Sequence, residues 1–301
     1  MVKIVVAQGL DLLPDQIARL NNLGEVKIYD DAAETPDIWL DRCRGFDIVC
    51  TGSFGLRQKI YDLENGFISL PLVGIGWMDA EKLKAKNIKV ANSPGCNKAA
   101  VSEWIIGMMI NLLRDLPKQI NAAEPAKYDL PKRTLGLAGK KVCILGAGNI
   151  GNRVGKICEA FDMDVNFFRQ GGDIVESVGG ADVVINCLSQ NPTTIGLLNE
   201  KFFSSLKTGS YFISVTSPKI YDVDALLVHL GKNIAAAAID AGDAKIGDAG
   251  DDFYQKLLTS NKILATPHIA FNTDVTARVA NDMMIDNIEA YLKGEPVNLF
   301  W

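Results

Sequence analysis

The sequence predicts an α/β protein built from two doubly wound parallel-sheet domains. Short apolar runs alternate with segments of helical periodicity along nearly the whole chain, and this alternation is typical of βαβ units and parallel sheets. The chain has 301 residues, which is more than a single hydrophobic core usually supports, so we expect two domains.

The N-terminal third contains the elements of one compact open sheet. Predicted strands cover residues 2–7, 26–29, 47–51, 71–76 and 88–92. Residues 14–23 and 80–87 have helical periodicity. A longer helical pattern follows over residues 99–113, and residues 121–140 then form a predicted connecting arm, because prolines and glycines interrupt any periodicity there.

A second α/β series begins after this arm. Predicted strands cover residues 142–145, 165–168, 183–188, 211–215, 235–239 and 263–265, which would form a second sheet. The last helical pattern, at about residues 273–293, can return to the first domain, because chain termini often share a domain when another domain is inserted.

Charge and hydropathy exclude several classes of function. The chain carries 31 basic and 36 acidic side chains, a net charge of -5, and no run of Lys or Arg, so nucleic acid is not an expected partner. The longest apolar stretch, residues 104–113, is about half the length of a membrane span. No signal-peptide pattern opens the chain. We therefore expect a cytoplasmic protein without a membrane partner.

Cysteine and histidine usage points away from disulfides and metals. The six cysteines form no CxxC pair, so small buried thiols in a reducing compartment are the expected state. Only two histidines are present, and they form no cluster with cysteines. No metal site is predicted.

A glycine-rich turn carries the clearest functional signal. Gly146, Gly148 and Gly151 form a GxGxxG pattern directly after a predicted strand and before a predicted helix. Such glycines permit a tight turn, close approach of a pyrophosphate to the backbone, and close packing of the helix on the strand. The helix would begin with Asn149 and Ile150, whose N–H groups can bind the anion. A dinucleotide site is predicted, and a simple βα turn is the alternative.

The residue after the next predicted strand favours NADP over NAD. An acidic side chain there would bind the ribose hydroxyls of NAD, but this chain has Arg169 followed by Gln170. Arginine cannot repel a 2′-phosphate and can bind one with two parallel hydrogen bonds. The alternative is a solvated surface arginine.

Several spaced motifs resemble the D-isomer-specific 2-hydroxyacid dehydrogenases, which include glyoxylate/hydroxypyruvate reductases and phosphoglycerate dehydrogenases. Besides the glycine loop, the matching stretches are residues 74–76, 92–97 with 101–103, 192–197, 222–226 and 266–270. The resemblance covers nearly the whole chain. It implies a flavodoxin-like substrate domain (1–97 with 270–301), an inserted Rossmann dinucleotide-binding domain (98–269), an active site in the cleft between them and a homodimer.

The resemblance also implies individual site residues. The expected substrate-binding residues are Gly74, Ile75, Gly76, Trp77 and Asn97. The expected cofactor-binding residues outside the glycine loop include Thr194 and Asp240, the second of which matches the Asp that contacts the nicotinamide amide in the family.

The family transfers a hydride between a nicotinamide and a 2-oxo/2-hydroxy carbon, using a His as acid/base, a Glu beside it and a substrate-binding Arg. His268 matches the His, whereas His229 lies in a helical pattern and is expected to be structural. The Arg position falls on Ser217 and the Glu position on Lys245. An ammonium beside an imidazole disfavours its protonated form, so we expect His268 to be mainly neutral if Lys245 faces it.

Two alternatives remain open at these positions. A slip of the alignment would bring Asp243 or Asp248 near the imidazole in place of Lys245. Lys245, Lys219 or Lys98 could replace the lost arginine as point charges. The sequence therefore predicts an NADP-dependent oxidoreductase with altered recognition of a small substrate. Its alternatives are a catalytically silent NADP(H)-binding sensor or interaction protein, and a nearly standard glyoxylate or hydroxypyruvate reductase.

Overall fold

The computed structural model describes residues 1–121, 133–240 and 250–301. The chain divides into two compact units, Met1–Asn97 with Asn272–Trp301, which we call the terminal unit, and Lys98–Phe271, which we call the central unit. Both contain parallel sheets with helices, so the predicted fold class is confirmed.

The elements follow one another in an α/β sequence. The strands are β1 (Lys3–Val6), β2 (Glu25–Ile28), β3 (Ile48–Cys50), β4 (Gly66–Ser69), β5 (Ile88–Ala91), β6 (Lys141–Leu145), β7 (Asp164–Phe168), β8 (Val183–Asn186), β9 (Ser210–Ser214), β10 (Ile234–Asp240) and β11 (Ile263–Thr266). The helices are α1 (Pro14–Leu23), α2 (Pro36–Cys43), α3 (Leu56–Lys59), α4 (Ala80–Ala85), α5 (Lys98–Arg114), α6 (Leu116–Asn121), α7 (Asn149–Ala160), α8 (Ile174–Val178), α9 (Glu200–Ser205), α10 (Val223–His229), α11 (Asp252–Leu257) and α12 (Asp274–Leu292).

The sheet of the terminal unit has the strand order β2-β1-β3-β4-β5. This is the flavodoxin order, in which the strand sequence reverses between β1 and β3. Helix α12 packs on the sheet through buried Met284, Ile285 and Ile288, and the ring of Tyr291 stacks on Phe67 with centroids 4.1 Å apart. The C-terminal helix thus completes the core that the N-terminal residues begin.

The sheet of the central unit has the order β7-β6-β8-β9-β10-β11. Alternate residues of β6 enter different cores: Val142 and Ile144 pack with α5 and α7, whereas Cys143 and Leu145 face a cluster of phenylalanines. Both faces are therefore covered, as a doubly wound sheet requires. The strand order reverses between β6 and β8, which places a topological switch beside the glycine turn.

One predicted strand is wrong. Residues 71–76 are irregular and form no strand, and the strand beside β3 is β4 (Gly66–Ser69), in which Phe67, Ile68 and Ser69 are buried. Pro71 has no N–H group for a ladder, and the amide of Met78 closes a turn on the carbonyl of Ile75 at 3.1 Å. The segment follows the strand instead of forming it.

Helix α2 begins where its sequence supplies a cap. Thr35 accepts a hydrogen bond from the amide of Ile38, and Pro36 occupies the first helical position. No helix among the described residues is long and apolar enough to span a bilayer. Most of the predicted connecting arm, residues 122–132, lies outside the described residues.

Candidate nucleotide and catalytic site of the central unit

The glycine turn lies between the end of β6 and the start of α7. Gly146 has a φ of 99°, a left-handed conformation that favours glycine. A Cβ at this position would also lie 3.0 Å from the carbonyl oxygen of Cys187, which follows β8. The tight turn and its close approach to the neighbouring strand both require glycine here.

The other two glycines differ in their surroundings. A Cβ on Gly151 would overlap the carbonyl oxygen of Gly146, so only glycine lets α7 approach the turn this closely. At Gly148, by contrast, the space that a Cβ would occupy is open within 4 Å. The turn therefore has a close-packed side formed by Gly146 and Gly151, and an open side at Gly148 that fits a ligand.

The start of α7 fits an anionic group. Gly148 is the N-cap, and no side chain caps the helix there. The first N–H groups of a helix have no partner within it, so those of Asn149 and Ile150 suit a phosphate. The side chain of Asn152 donates to the carbonyl of Ala147 at 2.6 Å and holds the turn in place. These features fit the pyrophosphate of a dinucleotide.

Arg169 directly follows β7, as predicted, and is exposed together with Gln170. Its guanidinium carbon lies 5.7 Å from the centre of the Phe167 ring. In the part of the chain that the structure describes, no carboxylate lies within 4 Å of this guanidinium. The group is therefore positioned by an aromatic ring and keeps its hydrogen-bond donors available.

Thr194 is engaged within its own loop. Its hydroxyl donates to the carbonyl of Ser189 at 2.7 Å and accepts from the amide of Asn191 at 2.9 Å. The side chain thus shapes the loop after β8. Contact of this residue with a cofactor stays a prediction.

Asp240 holds the histidine turn together. Its buried carboxylate accepts hydrogen bonds from the Thr266 hydroxyl at 2.6 Å and from the amides of Ile269 and Ala270, both at 2.8 Å. These three bonds fix the backbone of the turn and leave acceptor capacity on the carboxylate. Contact of Asp240 with a nicotinamide stays a prediction.

His268 lies at the centre of this clamped turn. Its φ of 55° is in the left-handed region, which costs a non-glycine residue on the order of 1–3 kcal/mol. Its amide donates to the carbonyl of Thr266 at 3.0 Å, and its ring contacts Phe271 edge-on at 5.8 Å. Strain of this kind persists only where surrounding contacts impose it, and it is common at functional sites.

The imidazole of His268 has a buried ring nitrogen, Nδ1, that makes no hydrogen bond. Carboxylates of the described residues therefore do not orient this ring. His229 differs, because its Nδ1 lies 2.7 Å from Asn233 Oδ1 and its Nε2 lies 2.7 Å from Glu200 Oε1. Protein partners occupy both nitrogens of His229, whereas His268 is half-buried with Nδ1 unpartnered.

Of the residues at the family's Arg and Glu positions, the structure describes Ser217 and not Lys245. Ser217 accepts a hydrogen bond from the amide of Lys219 at 3.3 Å, within a turn that follows β9. Lys245 lies outside the described residues, as do Asp243 and Asp248. The alternatives for the partner of His268 therefore stay open.

The five predicted substrate-binding residues all lie after strands of the terminal unit or at its boundary. Ile75 is buried, and Gly74 and Gly76 are exposed with open space at the position of a Cβ. Trp77 packs against the core and contacts the guanidinium of Arg57. Asn97 is half-buried, immediately before α5. No sequence pattern singles out Arg57, because the features that distinguish it, its contact with Trp77 and the lack of an ion pair among the described residues, appear only in the fold.

The cysteines are protected thiols. All are buried except Cys187, which is half-buried. Burial raises the pKa of Cys50 and of Cys158 to about 12, and that of Cys143 to about 11. Such thiols are poor nucleophiles. The part of the chain that the structure describes holds no group of three His, Cys, Asp or Glu side chains suited to a metal ion.

Comparison with known proteins identifies the family. Residues 106–270, more than half of the chain, match the model described as D-isomer specific 2-hydroxyacid dehydrogenase, NAD binding domain. The chain belongs to this family of nicotinamide-dependent oxidoreductases, and the resemblance read from the sequence is confirmed.

Relatives and solved structures agree with this assignment. A hydroxypyruvate reductase of Blautia hydrogenotrophica is 26% identical over 99% of both chains. The D-3-phosphoglycerate dehydrogenase of Haemophilus influenzae is 30% identical to this chain. The alignment covers 67% of this chain and 52% of that relative. The fold is similar to an acyclic imino acid reductase in complex with NADPH and D-Arg (TM-score 0.84, 22% identity, all of both chains) and to D-2-hydroxyisocaproate dehydrogenase (TM-score 0.80, 20% identity, 99% of both).

Proposed function

We propose that this protein is an NADP(H)-dependent reductase or dehydrogenase that acts on a small 2-oxo or 2-hydroxy acid. The observation that supports this most strongly is the glycine turn, with one face too close-packed for a side chain and the other open at an uncapped helix N-terminus. A nicotinamide dinucleotide bound there supplies or accepts a hydride. The hydroxypyruvate reductase, similar to this chain over 99% of both lengths, supports a 2-oxo/2-hydroxy acid as substrate.

Arg169 supports the preference for the phosphorylated cofactor. Its guanidinium lies where an acidic residue would bind the ribose of NAD, and no carboxylate of the described residues neutralises it. A 2′-phosphate matches its planar donor geometry. We expect Arg169→Gln to weaken NADPH binding at least about tenfold, since a hydrogen bond to a charged group contributes about 1.5–3 kcal/mol, and to leave NADH binding unchanged. Tighter binding of NADH than NADPH by the unaltered protein would contradict this role.

We propose His268 as the group that exchanges a proton with the substrate oxygen. Its turn is held by the buried carboxylate of Asp240, which fixes the backbone from Thr266 to Ala270. A neutral imidazole accepts a proton from an alcohol, and its protonated form donates one to a carbonyl. Asp240 acts here as a positioning residue.

Recognition of the substrate is proposed to differ from the family pattern. Ser217, at the family's arginine position, has a hydroxyl that accepts from a backbone amide in its own turn. A hydroxyl cannot form the paired, charged hydrogen bonds of a guanidinium with a carboxylate. Another cation must therefore bind the acid group. The expected homodimer and cytoplasmic location stay predictions.

Turnover tests this proposal. NADPH absorbance is followed with a panel of 2-oxoacids, aldehydes, ketones and imines, for the unaltered protein and for His268→Ala. Oxidation of NADPH by a 2-oxoacid that depends on His268 is the expected result. A protein that binds NADPH tightly but turns over no member of the panel would instead be a silent sensor, a second candidate that Ser217 favours because it replaces the substrate-binding arginine.

A further inference from the structure

One arginine of the terminal unit lacks the ionic partner that the others have. The unit is described in full and contains five arginines. Four form ion pairs with carboxylates: Arg19 with Asp286 at 2.6 Å, Arg42 with Asp31 at 2.8 Å, Arg44 with Asp41 at 2.7 Å and Arg278 with Asp15 at 2.9 Å. Arg57 has no carboxylate within 4 Å among the described residues, although the unit is rich in acidic side chains.

Arg57 lies at the carboxyl edge of its sheet. It belongs to α3, which follows β3, and in a doubly wound sheet ligands bind outside the carboxyl ends of the strands near the topological switch. In the flavodoxin order this switch is between β1 and β3. The exposed guanidinium is therefore carried by the first helix after one of the two switch strands.

The loop that precedes Arg57 is fixed by its neighbours. The indole nitrogen of Trp39 donates to the Thr51 hydroxyl at 2.8 Å. Gly55 has a φ of 72°, and a Cβ there would overlap the Trp39 side chain. The amide of Arg57 then donates to the carbonyl of Ser53 at 3.3 Å. The backbone at this edge is thus pre-organised, as a binding residue requires.

The side chain of Arg57 is positioned by Trp77. Its guanidinium carbon lies 5.0 Å from the centre of the Trp77 ring, within the range of a cation–π contact. Such a contact uses the face of the guanidinium and leaves the N–H groups around its rim for hydrogen bonds in the plane. Trp77 belongs to the loop after β4, so two loops of the same sheet edge hold this cation.

We infer that Arg57 binds the carboxylate of the substrate. The inference rests on the proposed function, and it specifies a substrate with a free carboxylate. Two parallel N–H donors at the rim of the guanidinium match the two oxygens of this group. Lys98 and Lys219 could offer only point charges at this task.

Kinetics of four variants test the inference. Arg57→Gln is expected to raise KM for a 2-oxoacid about 10- to 100-fold, because a hydrogen bond to a charged group is worth about 1.5–3 kcal/mol, and to leave KM for an uncharged ketone and the Kd for NADPH unchanged. Arg57→Lys should fall between, since it keeps the charge and loses the paired geometry. Trp77→Ala should raise KM more than Trp77→Phe, which keeps an aromatic face.

The matched control is Arg44→Gln, an exposed arginine of the same unit that is paired with Asp41. It should leave every KM unchanged. An Arg57→Gln variant whose KM for the 2-oxoacid equals that of the unaltered protein would overturn the inference while the proposed function stands.

A binding measurement separates the two claims when no substrate is turned over. Oxamate, which carries a carboxylate beside an amide carbonyl, is titrated calorimetrically into the NADPH-saturated protein. Binding that weakens about tenfold or more in Arg57→Gln and not in Arg44→Gln supports the inference, even in a protein without turnover, in which case only the proposed function fails. No oxamate binding, or binding equal in all variants, overturns the inference.

Discussion

The carboxyl edges of the two sheets differ at the same topological position. In the central unit the chain leaves β6 through Gly146 and Gly148, and open space lies beside Gly148. In the terminal unit the chain leaves β1 towards Gln8, whose amide nitrogen lies against Gly52, the second residue after β3; a Cβ on Gly52 would lie 2.6 Å from it. The edge of the central unit thus exposes backbone, whereas at the edge of the terminal unit a side chain covers the backbone.

This difference fits the proposed function, in which the two edges bind two kinds of ligand. Backbone N–H groups at a helix N-terminus suit a phosphate, which needs several donors and close approach. Side chains suit a small substrate, whose shape and charge must be distinguished from those of similar molecules. The predictions below test whether the two edges have these separate roles.

The largest expected effect is at His268. We expect His268→Gln to lower kcat by about 10²- to 10⁴-fold, the usual contribution of general acid–base catalysis, with unchanged affinity for NADPH. The control is His229→Gln, since both nitrogens of His229 already have protein partners. Equal loss of turnover in both variants would mean that His268 has no special role.

Cysteine labelling compares the two units directly, because each contains three cysteines. Cys43, Cys50 and Cys96 report on the terminal unit, and Cys143, Cys158 and Cys187 on the central unit. Burial raises the pKa of each thiol, so alkylation at neutral pH requires opening.

NADPH at 100 times its Kd is expected to stabilise the unit that binds it by about 2.7 kcal/mol. In a urea series with iodoacetamide and mass spectrometry, the labelling of the central-unit cysteines should shift to higher urea. The terminal-unit cysteines serve as the internal reference. A larger shift for the terminal-unit cysteines would contradict our proposal that the central unit binds the nucleotide.

Two glycine substitutions compare the edge of the central unit, where a new methyl group would meet backbone, with that of the terminal unit, where it would meet a flexible side chain. Gly151→Ala places a methyl group against the carbonyl oxygen of Gly146, and we expect a loss of about 1–3 kcal/mol in the free energy of unfolding, as for other overpacked sites. Gly52→Ala meets only the end of the flexible Gln8 side chain and should cost less. Urea denaturation without cofactor measures both, and a smaller loss at Gly151 than at Gly52 would refute the distinction.

The smallest expected effect concerns acid stability of the central unit. Burial raises the pKa of Asp182, but hydrogen bonds from Lys207 at 2.6 Å and the Lys141 amide at 2.9 Å outweigh burial, so its pKa lies below the usual 3.8. A lowered pKa means stability that is present above pH 3.8 and lost as the pH falls further.

Asp182→Asn should therefore cost about 1 kcal/mol at neutral pH, and its difference from the unaltered protein should shrink below pH 3.8. Asp164→Asn is the matched control, since Asp164 is exposed at the start of β7 and has no ion pair among the described residues. A pH-independent difference for Asp182→Asn would show that the ionic contact contributes nothing.

Much of the architecture could be predicted because burial leaves a direct pattern. The strands of the central unit are runs of apolar residues whose two faces both enter cores, as Val142 to Leu145 show. The strand near residue 70 was misplaced because two short apolar runs adjoin there. Only the missing N–H of Pro71 distinguishes the two runs.

The site was harder to predict because its contacts are distant in sequence. The role of Asp240 depends on amides about 30 residues away, and the unpaired state of Arg57 depends on which carboxylates the other arginines take. A pattern read along the chain contains neither fact. The glycine turn could be predicted because its three glycines are close together in the sequence, between a predicted strand and a predicted helix, and Gly151 packs against Gly146 within the same turn.

The most direct test of the account is a calorimetric titration of NADPH into the unaltered protein and into Gly148→Val. A Cβ at this position meets no atom within 4 Å, so the protein should still fold, with a loss of about 1 kcal/mol because valine is a poor N-cap residue. The Kd for NADPH should rise at least about 100-fold because the phosphate can no longer approach the backbone. Unchanged NADPH affinity in a folded Gly148→Val protein, or no binding by the unaltered protein, would contradict the central claim that this turn holds the nucleotide.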